Sequence, residues 1–249
     1  MMIKHITLAL VLTLSSVAGQ ALAETFTEAE YVAIFNGDNI NKQKQAIDSL
    51  VLAGLSDPKV FDTLHAKFKA SLPQAVNNAS IDYSAWLLKG LAYSGDEKYL
   101  QTFNEIIAGD YPGKLKKYAK KSIPTLKQYK SWTPILSDKS QYAASETREV
   151  NVIANALRSD ELELKRYAAK RMINHSLYAP YLLSVLDSEL KDPRLLKHEK
   201  LAINTYAYMA KALASSGEPE YKATLEHIAK QSSERKLQKY AKKYLKTYY

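Results

Sequence analysis

Shifting this 249-residue sequence by 122 places lays it on itself without a gap. Leu91-Ala92-Tyr93-Ser94-Gly95 falls on Leu213-Ala214-Ser215-Ser216-Gly217. Lys114-Leu115-Lys116-Lys117-Tyr118-Ala119-Lys120-Lys121 falls on Lys236-Leu237-Gln238-Lys239-Tyr240-Ala241-Lys242-Lys243. Asp38 meets Asp160, Ala46 meets Ala168, Pro58 meets Pro180, and Leu64 meets Leu186. About a quarter of the positions are identical over roughly 97 residues, a register that chance does not produce. The chain must therefore build one unit twice, over about residues 27–127 and 149–249. A shorter period runs inside each copy. Ala46 to Phe68 matches Ala85 to Ile107 at a shift of 39, and a further step of about 34 carries Ala85 to Ala119 and Ala207 to Ala241. Steps of 34 to 40 residues have the length of one helix pair.

Local signals are helical throughout. Thr27-Glu28-Ala29-Glu30 has the form of a capping box, its hydroxyl and carboxylate each able to satisfy an orphan backbone donor. Asp57-Pro58 and Glu218-Pro219 put an acid and a proline where a helix begins and a missing N–H costs nothing. Apolar residues recur at three and four, as in Ile81, Ala85, Leu88, Ala92 and in Leu115, Ala119, Leu126. Helices are expected near 27–36, 40–54, 57–72, 79–94, 96–109 and 113–128, then at the same six places shifted by 122. No stretch alternates as a half-buried strand would. The expected division is a targeting segment at 1–23, a first repeat unit at 24–128, a connector at 129–148 and a second unit at 149–249. Ser131-Trp132-Thr133-Pro134 is expected to interrupt helicity, with Trp132, Ile135 and Leu136 packed.

Leu164-Lys165-Arg166-Tyr167-Ala168-Ala169 resembles the second-helix pattern of the HEAT repeats: an aliphatic residue, a basic one, two variable positions, then alanine. The phrase returns as Leu115-Lys116-Lys117-Tyr118-Ala119 and Leu237-Gln238-Lys239-Tyr240-Ala241. The resemblance covers essentially all of 27–249. It implies an all-α, right-handed solenoid of HEAT-like (armadillo-type) helix pairs, about twelve helices in all, internally duplicated and used to bind other proteins. It carries over no catalytic residue.

Residues 1–23 read as an export signal. Lys4 and His5 precede an apolar run from Ile6 to Ala18, and Ala21-Leu22-Ala23 supplies small residues where signal peptidase cuts, with Glu24 as the first mature residue. The run is too short for a membrane anchor, which needs about 20 apolar residues. The expected location is the periplasm, with secretion into the medium as the alternative. Without cysteine there is no disulfide framework, thiol nucleophile or thiolate metal site. The net charge of +9 falls to +8 once Lys4, the charged residue of the signal, is removed. Export argues against nucleic acid, leaving acidic proteins, acidic glycans and lipid head groups as anionic partners.

Chemistry is hard to find. His65, His175, His198 and His227 do not pair at metal-ligand spacing, and His198-Glu199 lacks the second histidine of a zinc-protease helix. No nucleophile elbow, phosphate loop or dinucleotide fingerprint occurs. Asp160-Glu161-Leu162-Glu163 opens a helix, where its dipole stabilises negative charge. The expectation is a non-enzymatic chain without cofactor or metal. The best remaining signal is basic: Lys114, Lys117 and Lys121 follow one helix edge, and Lys236, Lys239 and Lys243 repeat it. Such lysines either cover core surface with their stems or form a paired surface for an acidic partner. Trp86, opposite Tyr208, either packs in the core or lines a groove with Tyr93. The leading expectation is a periplasmic protein–protein scaffold. The alternative is a binder of anionic envelope polymers or lipid head groups through the lysine edges.

Overall fold

The computed structural model describes residues 26–55 and 57–249, so the expected signal at 1–23 lies outside the described residues. Within them the fold is all-α, with twelve α-helices and no strand. The first copy holds α1 (Glu28–Asn36), α2 (Ile40–Ser49), α3 (Pro58–Ser71), α4 (Asn78–Leu91), α5 (Leu100–Ala108) and α6 (Gly113–Ser137). The second holds α7 (Arg148–Arg158), α8 (Leu162–His175), α9 (Pro180–Lys191), α10 (Lys200–Ser215), α11 (Lys222–Gln231) and α12 (Arg235–Tyr248). From α2/α8 to α6/α12, each helix of the second copy starts 122 residues after its counterpart.

Start signals act as their chemistry demands. The Thr27 hydroxyl accepts from the Glu30 amide while the Glu30 carboxylate accepts from the Thr27 amide. Asp57 accepts from the Lys59 amide in front of Pro58. Consecutive helices pair as hairpins, α3 on α4, α5 on α6, α9 on α10 and α11 on α12. Even-numbered helices also pack on one another, α2–α4–α6 and α8–α10–α12, while α1 packs on α3 and α7 on α9. The result is two layers of helices with the core between them. Small residues permit close approach: Ala85, Ala119, Ala168, Ala207 and Ala241 are all buried.

The join between the copies departs from expectation. Helix α6 continues through Ser131-Trp132-Thr133-Pro134 to Ser137, with Pro124 and Pro134 inside it. An interior proline costs about 3 kcal/mol. Against that, the extension buries Tyr129, Trp132 and Leu136, each worth about 1.5–3 kcal/mol. These side chains belong to the second copy's core, together with Val51 and Leu52 of the first. The Tyr129 hydroxyl donates to the Val51 carbonyl at 2.8 Å, and Arg148 donates to the Gly54 carbonyl at 2.9 Å. Gly95 makes the approach possible. Its φ is +67°, and an added Cβ would sit 2.6 Å from the Tyr129 carbonyl carbon. Its counterpart Gly217 has φ +73° but nothing within 4 Å of the added Cβ.

Candidate functional site

The even-numbered layer carries a groove in each copy, lined at corresponding positions. Between α4 and α6 the lining includes Trp86, Lys89, Tyr118, Lys121 and Thr125, around a volume of about 300 Å³. Between α10 and α12 it includes Tyr208, Lys211, Tyr240, Lys243 and Thr247, around about 460 Å³. Each of these five pairs is separated by 122 residues. The helix phase explains the set: on α6, Tyr118, Lys121 and Thr125 follow at three and four, as do Tyr240, Lys243 and Thr247 on α12.

Charge separates the two grooves. In the first, Lys89 lies 4.5 Å from the Trp86 ring centre and 3.5 Å from the Asp48 carboxylate. Asp82 bridges Lys44 at 3.0 Å and Lys114 at 2.6 Å. Hydrogen bonds from Lys114 and Lys44 hold the Asp82 carboxyl below its ordinary range. In the second copy, Lys170 stands where Asp48 was and Asn204 where Asp82 was. Lys170 now covers the Tyr208 ring, 4.6 Å from its centre. The six positions 44, 48, 82, 89, 114 and 121 carry four basic and two acidic residues, net +2. Their counterparts 166, 170, 204, 211, 236 and 243 carry five basic residues and one asparagine, net +5. Among the described residues, Lys170, Lys211, Lys236, Lys239 and Lys243 make no ion pair, and Arg166 pairs with Glu163 at 3.5 Å.

A larger hollow of about 820 Å³ continues along α12 toward its N-terminus, lined by His198, Ile203, Arg235, Lys236, Lys239 and Lys243 among others. Tyr240 and Lys243 belong to both hollows, so one basic trough follows α12. The one carboxylate on its rim, Glu234, is engaged by His198 at 3.0 Å. Tyr244 stacks on Tyr240 with ring centres 6.1 Å apart. Burial pushes the Tyr244 hydroxyl up to about 12, so it stays a proton donor at neutral pH.

Of the lysines singled out from the sequence, Lys236, Lys239 and Lys243 meet in this trough. Lys121 lines the first groove, Lys114 is spent on Asp82, and Lys117 is exposed outside both linings. Trp86 is half-buried and lines the first groove beside Tyr93. Sequence reasoning missed Lys170, Asn204 and Lys211. The signal was present in the 122-residue alignment, as two columns where an acid in the first copy becomes a base or an amide in the second. His65 bonds Thr102 at 2.9 Å, and the residue equivalent to His65 in the second copy, Asp187, accepts from Thr224. Among the described residues no cluster of three metal-ligating side chains occurs, and no helix is long and apolar enough to cross a membrane.

No protein-family model matches the chain, and no curated protein matches it in sequence. A solved structure does: human deoxyhypusine hydroxylase in complex with glycerol, at 12% identity and a TM-score of 0.36. The match covers 89% of this chain and 84% of that one. This corrects one expectation. The matched protein is an enzyme, so the sequence-derived reading of a chain without catalytic activity does not stand.

Proposed function

We propose that this is an exported, HEAT-like helical-repeat binding protein whose trough between α10 and α12 holds an anionic partner of the cell envelope. The trough carries the reading: it is the internal duplicate of a groove in which Asp48 pairs with Lys89 and Asp82 with Lys44 and Lys114, and it has neither acid. Five unpaired lysines held along three neighbouring helices repel one another, and a bound anion relieves that repulsion. The stacked hairpins and the HEAT-like phrase at Leu164–Ala169 support a repeat scaffold, and the order of charge, apolar run and small residues in 1–23 supports export. A basic lining favours an anionic polymer or head group over the protein partner that the repeat architecture alone suggests.

The test uses residues 24–249 and heparin as a polyanion probe. Binding is expected at 50 mM NaCl and to weaken at least tenfold at 300 mM, as salt screens exposed charge. Lys236→Gln/Lys239→Gln/Lys243→Gln is expected to abolish it, while Lys59→Gln/Lys69→Gln/Lys120→Gln, which removes the same charge elsewhere, is expected to keep most of it. Equal losses in the two triple variants would reduce the effect to net charge and overturn the assignment.

A further inference from the structure

We infer that the α10/α12 groove is a site for a phosphate monoester, a phosphoryl group carried on a sugar or a lipid head group, and that the α4/α6 groove is its disabled duplicate. The inference rests on the anion-binding reading and narrows it. Lysines of three neighbouring helices of one layer converge here: Lys211 of α10 and Lys243 of α12 line the groove, and Lys170 of α8 covers the ring of its lining residue Tyr208. Lys170 stands 4.6 Å from the Tyr208 ring centre, and Tyr208 lines the groove together with Lys211 and Lys243. A single carboxylate would leave such a cluster undercompensated. A phosphate monoester brings up to two negative charges and three acceptor oxygens on one atom at neutral pH. Lysine meets phosphate as a mobile point charge, without the planar fork that arginine uses for carboxylates. The rest of the lining suits what the phosphate is attached to. Asn204, Thr247, Tyr208 and Tyr248 offer amide and hydroxyl groups beside ring faces. The volume of about 460 Å³ falls in the range of small-molecule clefts rather than of flat polymer-binding surfaces.

The first groove shows how little separates the two states. Asp48 takes Lys89, and Asp82 takes Lys44 and Lys114 together. An incoming phosphate there would meet two carboxylates already occupying three of the four cations. Two substitutions therefore convert each groove into the other: Lys170→Asp with Asn204→Asp in the second, Asp48→Lys with Asp82→Asn in the first. All four positions are exposed or half-exposed, so neither exchange opens the core.

Glucose 6-phosphate, with glucose as the neutral control, is titrated against residues 24–249 by calorimetry, and phosphatidic acid vesicles are titrated at matched phosphate. One site per chain is expected, with no binding of glucose. K170D/N204D is expected to weaken binding at least tenfold, and D48K/D82N to raise the stoichiometry from one to two. Binding of the soluble sugar phosphate assigns a free phosphosugar, whereas binding confined to vesicles assigns a head group; either supports the inference. Unchanged binding in K170D/N204D, or no binding of either phosphate probe, overturns it. Heparin binding by the same variants separates the two levels. Heparin bound by the unmodified protein and lost in K170D/N204D, without phosphate binding by either, leaves the anion reading standing and removes the phosphate assignment; no binding of heparin or phosphate by the unmodified protein removes both.

Discussion

The duplication supplies its own control for the joint between the copies. Gly95 and Gly217 occupy the same left-handed position, with φ +67° and +73°. Replacing either with alanine adds the strain of a Cβ in that region, about 1–2 kcal/mol, partly offset by about 0.4–1 kcal/mol of lost unfolded-chain freedom. Gly217→Ala should therefore cost roughly 0.5–1 kcal/mol, since its Cβ meets nothing within 4 Å. Gly95→Ala adds a collision. Its Cβ would lie 2.6 Å from the Tyr129 carbonyl carbon and 2.7 Å from the Lys130 nitrogen, both backbone atoms of α6. Relieving that overlap costs about 1–3 kcal/mol more, on the scale of overpacked cores. Thermal unfolding followed by circular dichroism reads the difference directly, because the strain is common to both variants. At about 2–4 °C per kcal/mol for a chain of this size, Gly95→Ala should melt several degrees below Gly217→Ala. If the two melt together, α6 does not lean on Gly95, and the account of how the copies are joined is wrong.

Other consequences are as specific. Lys165 is fully buried on α8, donates to the Leu157 carbonyl and pairs with Glu189 of α9, so Lys165→Met strands a nearly buried carboxylate. A loss of roughly 3–5 kcal/mol in urea unfolding is expected, most of it recovered in Lys165→Met/Glu189→Leu; no recovery would show that the pair is not coupled. Ser176 ends α8 with φ 53°, and Ser176→Gly should raise stability by about 0.5–1 kcal/mol by removing left-handed strain, measured in the same assay. Asp82 has its carboxyl held below the ordinary 3.8 by Lys114 and Lys44, so its contribution is present above that value and is lost as pH falls through the lowered one. Asp82→Asn should therefore flatten the pH dependence of stability below about pH 4, and an unchanged acid-unfolding profile would contradict the bridge.

Helices and their starts were legible because they depend on neighbours in sequence. The Thr27 capping box, the Asp57-Pro58 start and the three-and-four spacing of apolar residues act within one or two turns, and the ungapped duplication fixed the second set from the first. The second half of α6 was not legible. Prolines at 124 and 134 and the polar run after Ser137 argue locally for a break, and burial of Tyr129, Trp132 and Leu136 against α7 and the α2–α3 turn overrides them. The site divides in the same way. The lysine edges of α6 and α12 follow from helical phase. Whether a given lysine is free depends on a carboxylate from another helix: Asp82 on α4 neutralises Lys114, and Asn204 on α10 leaves Lys236 alone.

By itself, then, the sequence determined that this chain is helical, duplicated and basic, since capping, periodicity and net charge are local or additive properties. Tertiary structure decided which cations remain unpaired and where they meet, because an ion pair needs two side chains within about 4 Å and helices 32 or more residues apart in sequence supply them. The same packing decided that the two copies of one groove would differ, one closed by its own acids and the other left open along α12.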